Sequence, residues 1–293
     1  MLTETAYAKI NLALHVRARR ADGYHEIESL FAFAEDGDAL AAETRRDGRI
    51  NLYTEGPFAA GLSAGPDNLV ARSAEALQRA YAVQAGANIR LTKNLPVASG
   101  IGGGSADAAA TLRLLARLWD IDPGFAQPSE AGDRFPSSGE LFSLAAGLGS
   151  DVPACLVSRT LVGTGRGEAL DLRDIAGLSG KPLLLINPGK ALSTAAVFAG
   201  WDGQDRGALR CVSLEQIAAE GRNDLQGPAM DIVPEIAQVL TALGAIEGII
   251  LARMSGSGAT CFALMEDEAA LARAAETLQR VHPDWWVMTS RVR

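Results

Sequence analysis

The chain has 293 residues, 48% of them hydrophobic and 21% charged, with a formal net charge of -8. That length allows two lobes with sizeable cores, while the acidic balance argues against a general nucleic-acid binder. No apolar run approaches the ~20 residues of a membrane span, the first residues lack the basic flank and apolar stretch of a signal peptide, and Cys155, Cys211 and Cys261 form no CxxC pair. A cytoplasmic, reducing setting with the three thiols as buried apolar residues is expected.

Taken in chain order, Ala6 to Ala18 has strand spacing, Asp22-Gly23 marks a turn, and Glu28 to Phe33 returns as a second strand. Asp36-Gly37-Asp38 and Asp47-Gly48 read as further turns of a strand-rich meander. Asn68 is placed to cap a helix running to about Tyr81. Ile89 to Leu95 reads as a strand, and Ser105 to Trp119 as a helix with Ala108, Leu112, Leu115 and Trp119 on one face. Gln127 to Gly139 is rich in Pro, Ser, Gly and charge and reads as an exposed loop, either a surface excursion or a lid. A short helix over Leu141 to Leu148 precedes another beginning near Ser150-Asp151, with Pro153 in its first turn. A second lobe is expected after Arg159, dividing the chain into 1–159 and 160–293. It contains strands at Leu183 to Asn187, Ile249 to Met254 and Thr260 to Leu264, and helices near 214–219, 232–243 and 268–281. Strands and helices mix without strict βαβ alternation, which favours an α+β fold.

Between the predicted strand and helix lies Leu95-Pro96-Val97-Ala98-Ser99-Gly100-Ile101-Gly102-Gly103-Gly104-Ser105-Ala106. Clustered glycines turn the backbone tightly and leave N–H groups facing outward, and the helix behind them adds the positive end of its dipole. The combination suits a phosphate; a plain flexible turn is the alternative. No Gly-Lys-Ser/Thr follows, so this is not the nucleotide P-loop. Arg17, Arg19 and Arg20 form a basic cluster that reads either as a local anion site or as a solvated surface. Asp151, at an expected helix start, reads equally as a cap or as a base whose carboxylate the dipole keeps ionised. By residue type alone, Lys9 in its apolar strand would point to solvent.

Three blocks in order, Ala6-Tyr7-Ala8-Lys9-Ile10-Asn11-Leu12, the glycine loop with Gly149-Ser150-Asp151-Val152-Pro153, and Ser255-Gly256-Ser257-Gly258-Ala259, span essentially the whole chain. This set resembles the kinase superfamily named for galactokinase, homoserine kinase, mevalonate kinase and phosphomevalonate kinase (GHMP kinases). Arg20-Ala21-Asp22-Gly23-Tyr24-His25 resembles the branch acting on 4-diphosphocytidyl-2-C-methyl-D-erythritol in non-mevalonate isoprenoid synthesis. Arg222-Asn223-Asp224-Leu225 and Leu192-Ser193-Thr194 with Val197-Phe198 match further elements of that branch.

The resemblance implies a two-lobed fold, with an N-terminal lobe like the second domain of ribosomal protein S5 and a ferredoxin-like C-terminal lobe. It implies ATP, with Mg2+ carried by the nucleotide, as co-substrate and a cytidine diphosphate-linked polyol as acceptor; no dedicated metal cluster is visible. Lys9 and Asp151 are then the catalytic pair. Backbone amides from Pro96 to Ala106 would wrap the phosphates, Lys93 would reach the nucleotide or else be a solvated strand residue, and Ser105 would help hold the magnesium. Asn11, Tyr24, His25, Thr194 and Phe198 would contact the acceptor: histidine can hydrogen-bond a pyrimidine edge and tyrosine can stack on it. Ser255 to Gly258 would close against the phosphate loop. Two departures stand out: Ala98-Ser99-Gly100 occupies positions where the family usually shows Gly-Ala-Gly, and the 127–139 loop is longer than the pattern implies. Alternatives are a sister kinase acting on mevalonate, phosphomevalonate or homoserine, and a catalytically silent nucleotide sensor of the same fold.

Overall fold

The computed structural model describes residues 1–63, 65, 67–122 and 139–293. Of the expected 127–139 loop, all but Gly139 lies outside the described residues.

β1 (Leu2–Arg19) and β2 (His25–Arg45) form one long antiparallel hairpin, and β2 runs straight through Asp36, Gly37 and Asp38. The turn expected there does not form. Gly37 pairs with Tyr7 instead, where a Cβ would collide with the Ala6 carbonyl, so its glycine permits close strand approach. β3 (Ile50–Glu55) and β4 (Gly86–Thr92) are parallel and joined through α1 (Leu69–Ala80), whose Val70 amide donates to the Asn68 cap at 2.9 Å. α2 (Gly103–Leu118), α3 (Glu140–Leu148) and α4 (Val152–Val157) follow, with α2 packed on β1 and β2. β5 (Leu161–Gly165) and β6 (Ala169–Leu172) then extend the first sheet, whose order is β3-β4-β2-β5-β6 with β1 also paired to β2. Residues 161–172 thus belong to the first sheet, beyond the expected division at 159/160.

The second sheet contains β7 (Pro182–Asn187), β8 (Ile249–Met254), β9 (Cys261–Met265) and β10 (Trp286–Arg291) in the order β10-β7-β9-β8, all antiparallel. With first, second, third and last strands arranged 4-1-3-2, this is a ferredoxin-like sheet. Its helices are α5 (Thr194–Ala199), α6 (Leu214–Glu220), α7 (Gln226–Ile232), α8 (Glu235–Gly244) and α9 (Glu268–Val281). The one helix expected over 232–243 is split. α7 stops at Ile232 and α8 begins after Pro234, because a proline inside a helix lacks the N–H its turn requires.

Three cores result. One lies between the first sheet and α1 to α4, one between the second sheet and α7 to α9, and a third between the two sheets. Ala8, Ile10 and Leu12 enter this third core with Leu185, Phe262 and Leu264. Strand alternation then turns Lys9 and Asn11 to the opposite face of β1, toward the glycine loop. A buried pair of polar residues on a core strand is the first consequence of the fold for function.

Candidate active site

A cavity of about 940 Å³ opens between the lobes and is bordered by Lys9, Asp151, the glycine loop, Tyr24, His25 and α5. Lys9 is 3% exposed, its Nζ lies 3.3 Å from Asp151 Oδ2, and it donates to Asn11 Oδ1 at 3.0 Å. Its ammonium also sits 4.5 Å from the centre of the Phe31 ring. The solvent-facing alternative for Lys9 is thus excluded by position. Asn11 in turn donates through Nδ2 to Ser29 Oγ at 2.8 Å, so its amide has one orientation, with the carbonyl on Lys9. Asp151 precedes α4, yet its side chain makes no capping hydrogen bond; the carboxylate faces Lys9 and the cavity instead. Beneath it, the Cys155 thiol is fully buried and pushed up to about 12 by that burial, which makes it a poor nucleophile.

Ala98, Gly100 and Gly102 all have positive φ, at 52°, 77° and 65°, and this succession bends the loop over the start of α2. Gly102 is the N-cap of α2 and supplies no side chain, so among the described residues the first-turn amides of Gly103, Gly104 and Ser105 have no side-chain acceptor at the positive end of a 16-residue helix. Within the loop, Ser99 donates to the Pro96 carbonyl at 2.6 Å and its own carbonyl accepts from the Thr260 amide at 3.1 Å. Ile101 is turned into the core, and its carbonyl accepts from the Lys9 amide at 3.0 Å. Ala106 is likewise buried, so only the backbone of these two residues belongs to the loop surface.

Ser255 to Gly258 lies directly on the loop. Ser255 Oγ donates to the Gly100 carbonyl at 3.0 Å and accepts from the Asn11 amide at 3.1 Å, and a Cβ on Gly100 would strike the backbone of Ser255 and Gly258. Asn223 holds this turn by donating to the carbonyls of Met254 and Gly256, both at 2.8 Å. Asp224 accepts from the Val16 amide at 2.8 Å and from Arg222 at 2.7 Å. The Arg222-Asn223-Asp224-Leu225 element is therefore a brace between β1 and the glycine turn.

Lys93 departs from expectation. It is 3% exposed beneath the start of α2, with its ammonium bonded to Asp38 and, at 2.8 Å, to Asp107 Oδ2. Asp38 Oδ1 also accepts from the amides of Asn94 and Leu95 at 2.5 and 2.9 Å. The Lys93 ammonium is thus committed to two carboxylates rather than extended toward a nucleotide. Two carboxylates share one ammonium here, and burial together with Asp38 pushes the Asp107 carboxyl up, outweighing Lys93. Next to this triad a second cavity of about 240 Å³ is lined by Ser63, Asp67, Asn68, Leu69, Pro96 and Val97 among others. Sequence reasoning saw Asn68 as a helix cap only, and nothing in its pattern marks this cavity.

At the other end of the main cavity the His25 ring lies 4.9 Å from Phe198 and 5.7 Å, edge-on, from Trp201. Burial, then Arg19, lowers the His25 pKa, and its Nε2 is buried without a partner among the described residues. Tyr24 stands more exposed at the rim, its amide donating to Asp22 Oδ1 at 3.1 Å in a tight turn with Gly23 at φ 85°. Thr194 Oγ1 is 2.9 Å from Ser257 Oγ, which ties α5 to the glycine turn. Of the basic cluster, Arg17 pairs with Glu28 and Asp205, and Arg20 with Asp22 and Glu26. Arg19 donates to the carbonyls of Ala199 and Trp201 at 3.2 and 2.6 Å, which closes the aromatic pocket from β1, a role its sequence context did not reveal. Among the described residues no group of three or more His, Cys, Asp and Glu side chains stands together as a metal site.

The arrangement offers anion-binding amides, a buried cation–carboxylate pair and an aromatic pocket in one continuous cleft. Comparison with known proteins agrees in kind. Residues 68–159 match the family model "GHMP kinases N terminal domain" and residues 211–284 match "GHMP kinases C terminal". A 4-diphosphocytidyl-2-C-methyl-D-erythritol kinase of Rhizorhabdus wittichii is 53% identical over 99% of this chain and 94% of its own length. One of Sphingopyxis alaskensis is 46% identical over 100% and 99%. A crystal structure of 4-(cytidine 5'-diphospho)-2C-methyl-D-erythritol kinase superposes with a TM-score of 0.78 at 33% identity, covering 99% of both chains. Mevalonate kinase of L. major, at 15% identity and a TM-score of 0.65 over 100% of this chain and 96% of its own, shares the fold.

Proposed function

The chain belongs to the 4-diphosphocytidyl-2-C-methyl-D-erythritol kinases within the GHMP kinases, and on that premise we propose that it moves the γ-phosphoryl group of ATP to the 2-hydroxyl of that acceptor. The observation that carries the reading is the Lys9–Asp151 pair, held at 3.3 Å between the anion-binding loop and the aromatic pocket of a single cleft.

In this reading the ATP phosphates lie against the glycine loop and the first-turn amides of Gly103, Gly104 and Ser105, and the adenosine occupies the second cavity beside Asn68 and Leu69. Magnesium would arrive with the nucleotide, next to Ser105, and supply charge neutralisation on the phosphates. Lys93 anchors the loop from below through Asp38 and Asp107. Cytosine enters between Tyr24, His25 and Phe198, with Thr194 at its edge. That leaves the polyol beside Asp151. The acceptor oxygen attacks the γ-phosphorus, the bond to the bridging oxygen of ADP breaks, and the hydroxyl proton passes to the Asp151 carboxylate and on to water. Lys9, 3.3 Å away, aims that carboxylate and stabilises charge on the reacting oxygens. Asn11 serves chiefly by orienting Lys9.

Two small phosphorylated substrates, free thiols and the absence among the described residues of a helix able to cross a membrane support a cytoplasmic setting. The test is ADP release from ATP in the presence of 4-diphosphocytidyl-2-C-methyl-D-erythritol, mevalonate or homoserine. Turnover confined to the first is expected. Turnover with another acceptor makes the chain a sister kinase, and ATP binding without ADP release for any alcohol makes it a sensor.

A further inference from the structure

Resting on the acceptor reading above, one part of that acceptor still has no cation assigned to it: the diphosphate that joins cytidine to the polyol. Among the described residues, the Lys and Arg side chains bordering the main cavity are Lys9, Arg19, Arg20 and Arg166. Lys9 is engaged by Asp151 and Asn11, Arg19 by two backbone carbonyls, and Arg20 by the carboxylates of Asp22 and Glu26. Arg166 differs. Its ion pair with Glu168 is long, 3.6 Å from Nε to Oε1 and beyond hydrogen-bond reach, while the other Glu168 oxygen accepts from the Arg166 amide at 2.6 Å. Its guanidinium makes no hydrogen bond among the described residues and lies over the Tyr24 ring, 4.9 Å from the ring centre.

The geometry points to Arg166 as the residue that binds the diphosphate of the acceptor. It occupies the tip of the β5–β6 turn between Gly165 and Gly167, whose φ values of 75° and 104° form a bend that projects the side chain away from the sheet. Gly165 pairs with Ile27, two residues beyond His25, so the turn is fixed in register beside the base-reading residues. A guanidinium suits a diphosphate because it offers a planar fork of donors to phosphate oxygens while its face rests on an aromatic ring. Stacking on Tyr24 holds the fork in place before the ligand arrives, which lowers the entropy lost on binding.

The probes are CDP and cytidine, measured by calorimetry on the full chain, together with the KM for the complete acceptor. In the wild type CDP should bind more tightly than cytidine. Arg166→Ala should weaken CDP and raise the acceptor KM by roughly tenfold, the size of one charge-assisted hydrogen bond, leave cytidine within about twofold of wild type, and leave the KM for ATP unchanged. Arg166→Lys should restore part of the loss, since it keeps the charge without the fork. CDP affinity unaltered by Arg166→Ala overturns the assignment. So does an equal loss for CDP and cytidine, which would mean that Arg166 acts only by supporting Tyr24. Failure of the acceptor reading itself shows separately, as wild-type enzyme that binds neither CDP nor cytidine and does not phosphorylate the acceptor.

Discussion

In the proposed mechanism Lys9 and Asp151 divide the chemistry unequally, because Lys9 is buried among polar partners while Asp151 is 37% exposed toward the cleft. Lys9→Met and Asp151→Asn should each lower kcat on the order of a thousandfold, with the ATP dissociation constant, read by nucleotide titration, nearly unchanged. Near-wild-type turnover in either variant would remove the pair from the mechanism. His25 adds a pH dependence. Burial and Arg19 hold its folded pKa below the ordinary 6.5, so the fold favours the neutral ring. The stability this contributes is present above 6.5 and fades as the pH falls through the lowered value. The acceptor KM should rise on acidification below 6.5 as the pocket takes up a proton, the KM for ATP should stay flat, and His25→Asn should abolish the difference. Ala98 is a third case: at φ 52° its Cβ is strained where glycine would not be. Ala98→Gly should raise the unfolding free energy by about 0.5–1 kcal/mol with activity retained, since the strain relieved exceeds the added chain entropy. Destabilisation in urea titration would contradict that account.

At the scale of elements, the glycine loop is seated on a buried triad. Asp38 accepts two backbone amides of the segment entering the loop, and Lys93 links it to Asp107 on α2. Removing the cation leaves two carboxylates facing each other out of water, so Lys93→Met should cost about 3–5 kcal/mol of stability and weaken ATP binding together with it. A variant as stable as wild type would return Lys93 to a direct role at the nucleotide. Asp107 carries the complementary pH signature. Burial, with Asp38 beside it, pushes the Asp107 carboxyl up to about 7. A raised acid contributes stability below its unfolded value of 3.8 and loses it as the pH rises through about 7. Urea stability of the wild type should therefore fall over that interval relative to Asp107→Asn.

For the whole molecule, the proposed active site exists because the two ends of the chain meet. Ser255 and Asn11, 244 positions apart, share a hydrogen bond, and the turn that carries Ser255 rests on the loop at Gly100. The buried Arg253 donates to the carbonyls of Leu12 and, at 2.6 Å, Gly221, fastening β8 to β1 across the lobes. At Gly100 both the φ of 77° and the contact with Ser255 and Gly258 backbone exclude a side chain. Gly100→Ala should therefore separate turn from loop, raising the KM for ATP at least tenfold by rough reckoning from strain and lost contact. The same variant should lower the melting temperature, and an unchanged KM would show the closure to be dispensable.

The sequence by itself determined the pieces whose meaning is local. A run of glycines before a helix and the Asp22-Gly23-Tyr24-His25 turn express their chemistry through backbone dihedrals and dipoles within a few residues, and the order of the three sequence blocks identified the family. The tertiary structure alone decided what depends on distant partners. Gly37 reads as a turn until Ala6 is seen against it, Lys93 reads as a nucleotide ligand or a solvated strand residue until Asp38 and Asp107 enclose it, and Arg166 has no local signal at all. In each case the deciding energy is steric exclusion or the pairing of charges brought together out of water, and both arise only when segments far apart in the chain come into contact.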